Sequence, residues 1–198
     1  MLKSIIINFV ARAIKKLVRK SNFANAQRLG LSVGEGTIFV GQQDFGSEPF
    51  LISIGSSCLI TNSVSFITHD GAIQVPLIAD GEKIRDVYGK KSVFGRIVID
   101  ENCFVGQGSV ILKDTHIGKN CIVAACSVVK GHHPENSVIG GNPAKRICSI
   151  DEYYGKNGPH IIDTSSSEGI ARRKLIEDML SRSNDGHTGP KTSHSKMP

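Results

Sequence analysis

The chain has 198 residues, 39% hydrophobic and 21% charged, with 21 glycines and no tryptophan, a composition that suits one soluble domain with appendages and many tight turns. Its five cysteines are odd in number and include no CxxC pair, so neither a disulfide framework nor a zinc knuckle is indicated and a reducing cytoplasm fits best. Seven of its 24 basic residues fall within residues 1–28, leaving 17 basic against 18 acidic residues in the remainder, so the body lacks the basic surface that nucleic acid binding requires.

The first element in chain order is that basic segment, "MLKSIIINFVARAIKKLVRK", which plots as an amphipathic helix. Ile6, Val10, Ala13, Ile14 and Leu17 share one face, and Asn8, Arg12, Lys15, Lys16 and Arg19 the other. Its apolar run, Ile5 to Ile7, is too short to span a bilayer, and no small-residue cleavage site follows it. Two readings stay open. The helix packs on its own core or a subunit neighbour, or residues 1–20 rest on anionic lipid as a peripheral contact at the inner face of a membrane.

Next come short repeats, with Val33, Phe39 and Phe45 in one six-residue phase and Ile54, Ile60 and Phe66 in another, three residues out of step. A small insertion at "GSEPF", residues 46–50, accounts for the slip. From Val93 the period is strict, with aliphatics at Val93, Ile99, Val105, Ile111, Ile117, Val123 and Val129. Cys103, Ser109, Thr115, Cys121 and Ser127 follow four places after an aliphatic. A six-residue repeat means a short strand and a turn per unit, three units to a coil, stacked so that each covers its neighbour. A helix is ruled out, because this period spreads apolar residues all round a 3.6-residue turn.

The pattern disappears over residues 70–92, too long for a turn, and such an insertion leaves a stack as a loop on one face. His69 and Asp70 stand at its mouth. An imidazole there suits general-base work, since its ordinary pKa lets it take a proton near neutrality. Asp70 is read two ways, as the group that orients the imidazole or as turn chemistry before Gly71.

Residues 94–147 resemble the signature region of the hexapeptide-repeat acyltransferases, and the likeness extends over about Val33 to Tyr154. It rests on the repeat, on "SVV" at 127–129, on "PENSVIGGNPAKRI" from Pro134 and on "THD" at 68–70; the "SIDEYY" tail, residues 149–154, is similar to that of capsule and O-antigen O-acetyltransferases. The resemblance implies a mainly β fold, a left-handed parallel β-helix over residues 29–150. It also implies a homotrimer that binds acetyl-CoA between subunits and needs no metal. His69 matches the general base. Ala124, Ala125 and Ser127 match the wall along the pantetheine arm, and Asn142, Pro143 and Ala144 the matched loop, with Lys130 and Lys145 the nearest cations for the phosphates. Two departures from the family pattern fall here: Cys126 replaces a glycine, and Gly131 a lysine. Cys126 is expected to be a small packing residue, because direct transfer needs no covalent carrier. His116 is expected at an outward turn, and His132 and His133 in a loop.

Beyond the coil, residues 151–180 form an extension with a short helix at "IARRKLIEDML", and residues 181–198 have little to bury and are expected to be disordered. The function implied is acetyl transfer from acetyl-CoA to a hydroxyl of a sugar or glycan acceptor in surface polysaccharide synthesis, in the cytoplasm. The alternatives are N-acetylation of a nucleotide-linked amino sugar and a non-catalytic trimeric scaffold. A zinc lyase of the same solenoid class would need paired core histidines, which the sequence lacks.

Overall fold

The structure, a computed structural model, describes residues 17, 18 and 21–185. Nearly all of the basic amphipathic segment, with its membrane reading, and the tail from residue 186 lie outside the described residues. The chain divides into two compact units, Met1–Tyr153 and Tyr154–Pro198.

The first unit is mainly β. A helix α1 (residues 21–28) leads into β1 (Ser32–Val33), β2 (Ile38–Phe39), β3 (Ile52–Ile54), β4 (Leu59–Ile60), β5 (Ser65–Ile67) and β6 (His69–Asp70). Two short helices, α2 (Gln74–Ala79) and α3 (Ile84–Val87), follow. Then come β7 (Val93–Phe94), β8 (Ile97–Ile99), β9 (Phe104–Val105), β10 (Val110–Ile117), β11 (Ile122–Val123), β12 (Val128–His133), β13 (Ser137–Gly141) and β14 (Ala144–Ser149).

Strands pair with the strand of the next coil, not with the next strand along the chain. One sheet runs β1-β3-β8-β10-β12 with β5 joined to β10, and the other runs β14-β13-β11-β9-β4-β2. All these pairings are parallel except β13 with β14. The register measures the coil. Ile99 faces Ile117, Val105 faces Val123 and Ile111 faces Val129, each eighteen residues on. Val33 faces Ile54, twenty-one residues on, so the earlier coil carries three extra residues, seen as a 3-10 turn at Pro49–Leu51.

The register explains the sequence period. Ile54, Ile60, Phe66, Ile99, Val105, Ile111, Ile117, Val123 and Val129 are all within 2% of complete burial. The residues four places on, Cys103, Ser109, Thr115, Cys121 and Ser127, turn inward as well and are equally buried. Val93 differs: it matches the phase but is 45% exposed, because it belongs to β7, which pairs antiparallel with β6 outside the stack. The insertion is therefore an arm whose two ends are zipped together, His69 opposite Phe94 and Asp70 opposite Val93.

After the last coil, Ser149 and Glu152 cap α4 (Ile150–Asn157) reciprocally. Glu152 N donates to Ser149 Oγ at 3.1 Å, and Ser149 N donates to a Glu152 carboxylate oxygen at 2.6 Å. In the second unit, α5 (Gly169–Asp185) is longer than the expected helix and runs five residues into the stretch expected to be disordered. Among the described residues, no helix is long and apolar enough to cross a membrane.

Candidate functional site

His69 is placed by the coil beneath it. The rings of Phe45 and Phe66 stack at 5.5 Å and 8°, Phe66 N donates to Asp44 O at 2.8 Å, and Asp44 bridges Ser65 in parallel. These contacts seat residues 44–48 directly against residues 65–69. The three-residue slip then turns the chain at Pro49 and brings the Glu48 side chain up to the imidazole.

Glu48 Oε2 lies 2.9 Å from His69 Nδ1 and accepts from Thr68 Oγ1 at 2.7 Å. Burial pushes the Glu48 carboxyl up. Hydrogen bonds from Thr68, Ser47 and His69, and the charge of His69, outweigh this and hold it below its ordinary value. With the carboxylate ionised, Nδ1–H donates to it and the lone pair is left on Nε2, which has no hydrogen-bond partner among the described residues. The histidine side chain is 39% exposed and forms one wall of a cleft of about 240 Å³ under the inserted arm.

The carboxylate on the imidazole is thus Glu48, and the orienting reading of Asp70 is corrected. Asp70 Oδ1 accepts from Ala72 N at 2.8 Å and caps the 3-10 turn Gly71–Ile73, the ordinary turn role of an Asp before Gly. Glu48 lay hidden in sequence because it precedes its partner by a whole coil. The one signal for it was an acid inside the segment that breaks the repeat.

Of the residues expected along a cofactor wall, Ala124 and Ala125 follow β11, and Asn142, Pro143 and Ala144 join β13 to β14 in the same sheet, whereas Lys130 lies on β12 in the other sheet. Ala124 is half-buried and Ala125 exposed, and the turn Gly141–Ala144, whose Asn142–Pro143 peptide is cis, docks beside them. The coils touch closely here: a Cβ on Gly106 would stand 2.4 Å from Ala125 N. Lys130 and Lys145 are exposed, with no ion pair among the described residues. Ser127 is fully buried, and its hydroxyl donates to Ala124 O at 2.7 Å and accepts from Gly141 N at 3.2 Å, so it ties the two turns together. His69 lies on β6, just past β5, whose sheet runs through β10 to the β12 that carries Lys130, while Ala124 and Ala125 follow β11 in the other sheet.

Cys126, expected to pack, is exposed at φ 58°, a left-handed position that favours glycine. His132 and His133 lie on β12 instead of in a loop. A register shift between β10 and β12 sets His133 opposite Ile117, where it is 8% exposed with Nε2 3.2 Å from Lys130 O. His116, expected at an outward turn, is half-buried within β10 with Nε2 3.0 Å from Asp100 Oδ2. Among the described residues, no three His, Cys, Asp or Glu side chains are grouped to hold a metal ion.

Comparison with known proteins defines the class of the repeat. A profile of the family described as Bacterial transferase hexapeptide (six repeats) matches residues 96–131. Protein CapG of Staphylococcus aureus is 41% identical over 145 residues, 72% of this chain and 80% of CapG. A 2,3,4,5-tetrahydropyridine-2,6-dicarboxylate N-acetyltransferase of Clostridium perfringens is 44% identical over 55 residues, 28% of this chain and 23% of that protein. A solved hexapeptide-repeat-containing acetyltransferase of Vibrio cholerae is 20% identical, with TM-score 0.47 over 67% of this chain and 81% of that one. The chain belongs to the hexapeptide-repeat transferase family, and it is an acyltransferase.

Proposed function

We propose that the protein is an acetyl-CoA-dependent O-acetyltransferase acting on a sugar hydroxyl in surface polysaccharide synthesis, with His69 as the general base. The observation that carries this is the His69–Glu48 hydrogen bond, which leaves Nε2 without a partner among the described residues on a histidine that lines a cleft. A sugar hydroxyl is a weak nucleophile at neutral pH. His69 Nε2 takes its proton as the oxygen bonds to the acetyl carbon, Glu48 stabilises the imidazolium, and the proton passes to the departing thiolate as the C–S bond breaks. The products are the acetyl ester and the free thiol.

Acetyl-CoA supplies the activated acetyl group. The wall fits it: Ala124 and Ala125 offer small side chains to a pantetheine arm, Asn142, Pro143 and Ala144 form the adjoining turn, and Lys130 and Lys145 are uncommitted cations for phosphates. His69 stands just past β5, whereas Ala124 and Ala125 follow β11 in the other sheet, which agrees with a site completed between neighbouring subunits. A homotrimer of left-handed β-helices is further supported by an apolar column, Ile38, Leu59, Phe104 and Ile122, aligned on the outer face of one sheet. Ile38 is 60% and Phe104 38% exposed, a row of large side chains that suits an interface between copies. Five free cysteines favour a reducing cytoplasm.

The test is calorimetric titration of acetyl-CoA, followed by thiol release with a panel of sugars, on the wild type and His69→Ala. Both should bind, and the variant should transfer at least about 10²-fold more slowly. A wild type that binds no acetyl-CoA overturns the reading and leaves the scaffold alternative. N-acetylation is the second reading, favoured by the 55-residue likeness to an N-acetyltransferase. Mild alkali separates them, since it removes an ester-linked acetyl group and spares an amide.

A further inference from the structure

The inserted arm above His69 is firmly built. Val87 is completely buried, Tyr88 N donates to Ile84 O at 2.8 Å, and Lys90 N and Lys91 N both donate to Val87 O at 3.0 Å. Gly89, at φ 68°, ends α3 in the left-handed conformation. On this fixed turn the Tyr88 side chain is nevertheless 78% exposed. It lines the same cleft as His69, together with Gln74 and Ser92.

The hydrogen-bonding capacity left free in the cleft is neutral. Among the residues lining the cleft, the one lysine, arginine, aspartate or glutamate is Lys91, and its ammonium is already paired with Glu82. Asp70, at the base of the arm, is spent on Ala72 N. The side-chain polar atoms of Gln74, Tyr88 and Ser92 have no hydrogen-bond partner among the described residues. An exposed aromatic face beside an amide and two hydroxyls matches a pyranose, which presents a C–H face to the ring and hydroxyls to the polar groups. An acidic sugar would bring an anion to a cation that is already neutralised, at a desolvation cost with little return. At about 240 Å³ the cleft suits one ring.

Resting on the acetyltransferase reading above, we infer that the acceptor is a neutral pyranose whose C–H face lies on Tyr88 while Gln74 and Ser92 hold its hydroxyls. Tyr88 then selects the acceptor and positions it over His69.

The test compares wild type, Tyr88→Ala and Tyr88→Phe with methyl glycosides of neutral hexoses and N-acetylhexosamines and with methyl uronosides. In transfer from acetyl-CoA, the wild type should favour the neutral glycosides. Tyr88→Ala should raise their KM about tenfold with the KM of acetyl-CoA unchanged, and Tyr88→Phe, which keeps the ring, should stay within about threefold. A preference for uronosides, or an unchanged KM in Tyr88→Ala with its thermal midpoint retained, overturns the inference. Saturation-transfer NMR on the glycosides alone separates this from failure of the acetyltransferase reading, because it needs no reaction. Saturation of protons on one ring face, lost in Tyr88→Ala, upholds the cleft even if no acetyl group moves; no saturation with any neutral glycoside overturns it.

Discussion

Glu48 Oε2 sits 2.9 Å from His69 Nδ1 across a separation of twenty-one residues, the span of the one coil that carries three extra residues. The carboxylate decides which imidazole nitrogen carries the proton, so its removal should act on turnover more than on binding. Glu48→Gln should lower kcat on the order of 10²-fold with little change in either KM, and Glu48→Asp should recover some of the loss. Steady-state thiol release checks this; a rise in KM with kcat preserved would assign Glu48 to substrate contact.

The buried ladder predicts where truncation hurts. Ile111→Ala, at a completely buried position, should cost about 2–5 kcal/mol, whereas Val93→Ala, on the arm and 45% exposed, should cost less than about 0.5 kcal/mol. Denaturant midpoints at fixed protein concentration measure both. Equal losses would mean that Val93 belongs to the stack.

Coil spacing is limited by contacts that admit no side chain. Gly106→Ala would drive a Cβ to 2.4 Å from Ala125 N and push neighbouring coils apart, costing about 1–3 kcal/mol and weakening acetyl-CoA binding through the displaced wall. Gly71→Ala meets nothing within 4 Å and should be tolerated. Thermal unfolding with and without acetyl-CoA distinguishes the two.

His133 sets a pH dependence of stability. Burial pushes its pKa below the ordinary 6.5, against a hydrogen bond to Lys130 O that raises it, while nearby His132 lowers it further. Below about pH 6.5 the unfolded chain therefore binds the proton more readily than the folded one, and stability falls as pH drops toward the depressed folded value. Above pH 6.5 this contribution is complete and constant. His133→Gln should flatten the urea midpoint between pH 5 and 7. Glu48 acts in a separate window, since its lowered pKa contributes stability that is lost only below its ordinary 4.5.

The five thiols should sort by position. Cys126, exposed, should react at once with an aromatic disulfide reagent in the native protein; half-buried Cys148 should react more slowly; and Cys58, Cys103 and Cys121 only on unfolding. Hydrogen bonding with Cys121 and Cys58, together with burial, pushes the Cys103 thiol up and keeps it protonated. Mass mapping after timed labelling gives the order.

The coils were legible because most inward positions hold aliphatic or small residues, and Ile99 to Val129 declare them every sixth place. The slip near Gly46 was legible as a change of phase. What Glu48 touches was not, since that depends on which coil lies beneath His69, and Asp70 drew the assignment by standing next in sequence. Val93 shows the opposite limit: it keeps the phase, yet phase locates aliphatic residues without saying where the stack resumes. His133 fills an aliphatic's place through a register shift that the six-residue count does not carry. The Ser149–Glu152 cap was within reach, as a serine followed three places later by a glutamate.

The extra residues at Pro49–Leu51 bear on how the chain finds its own alignment. Interchangeable turns of eighteen residues would bury their aliphatics nearly as well if one slid past another by a full turn. The lengthened turn, and the longer excursion between β6 and β7, make the coils unequal, so a slipped chain would leave Glu48 beneath the wrong neighbour. Catalytic competence would then vanish while most of the interior stayed filled, and turnover per molecule becomes an assay of correct threading that bulk spectroscopy of the β structure would miss.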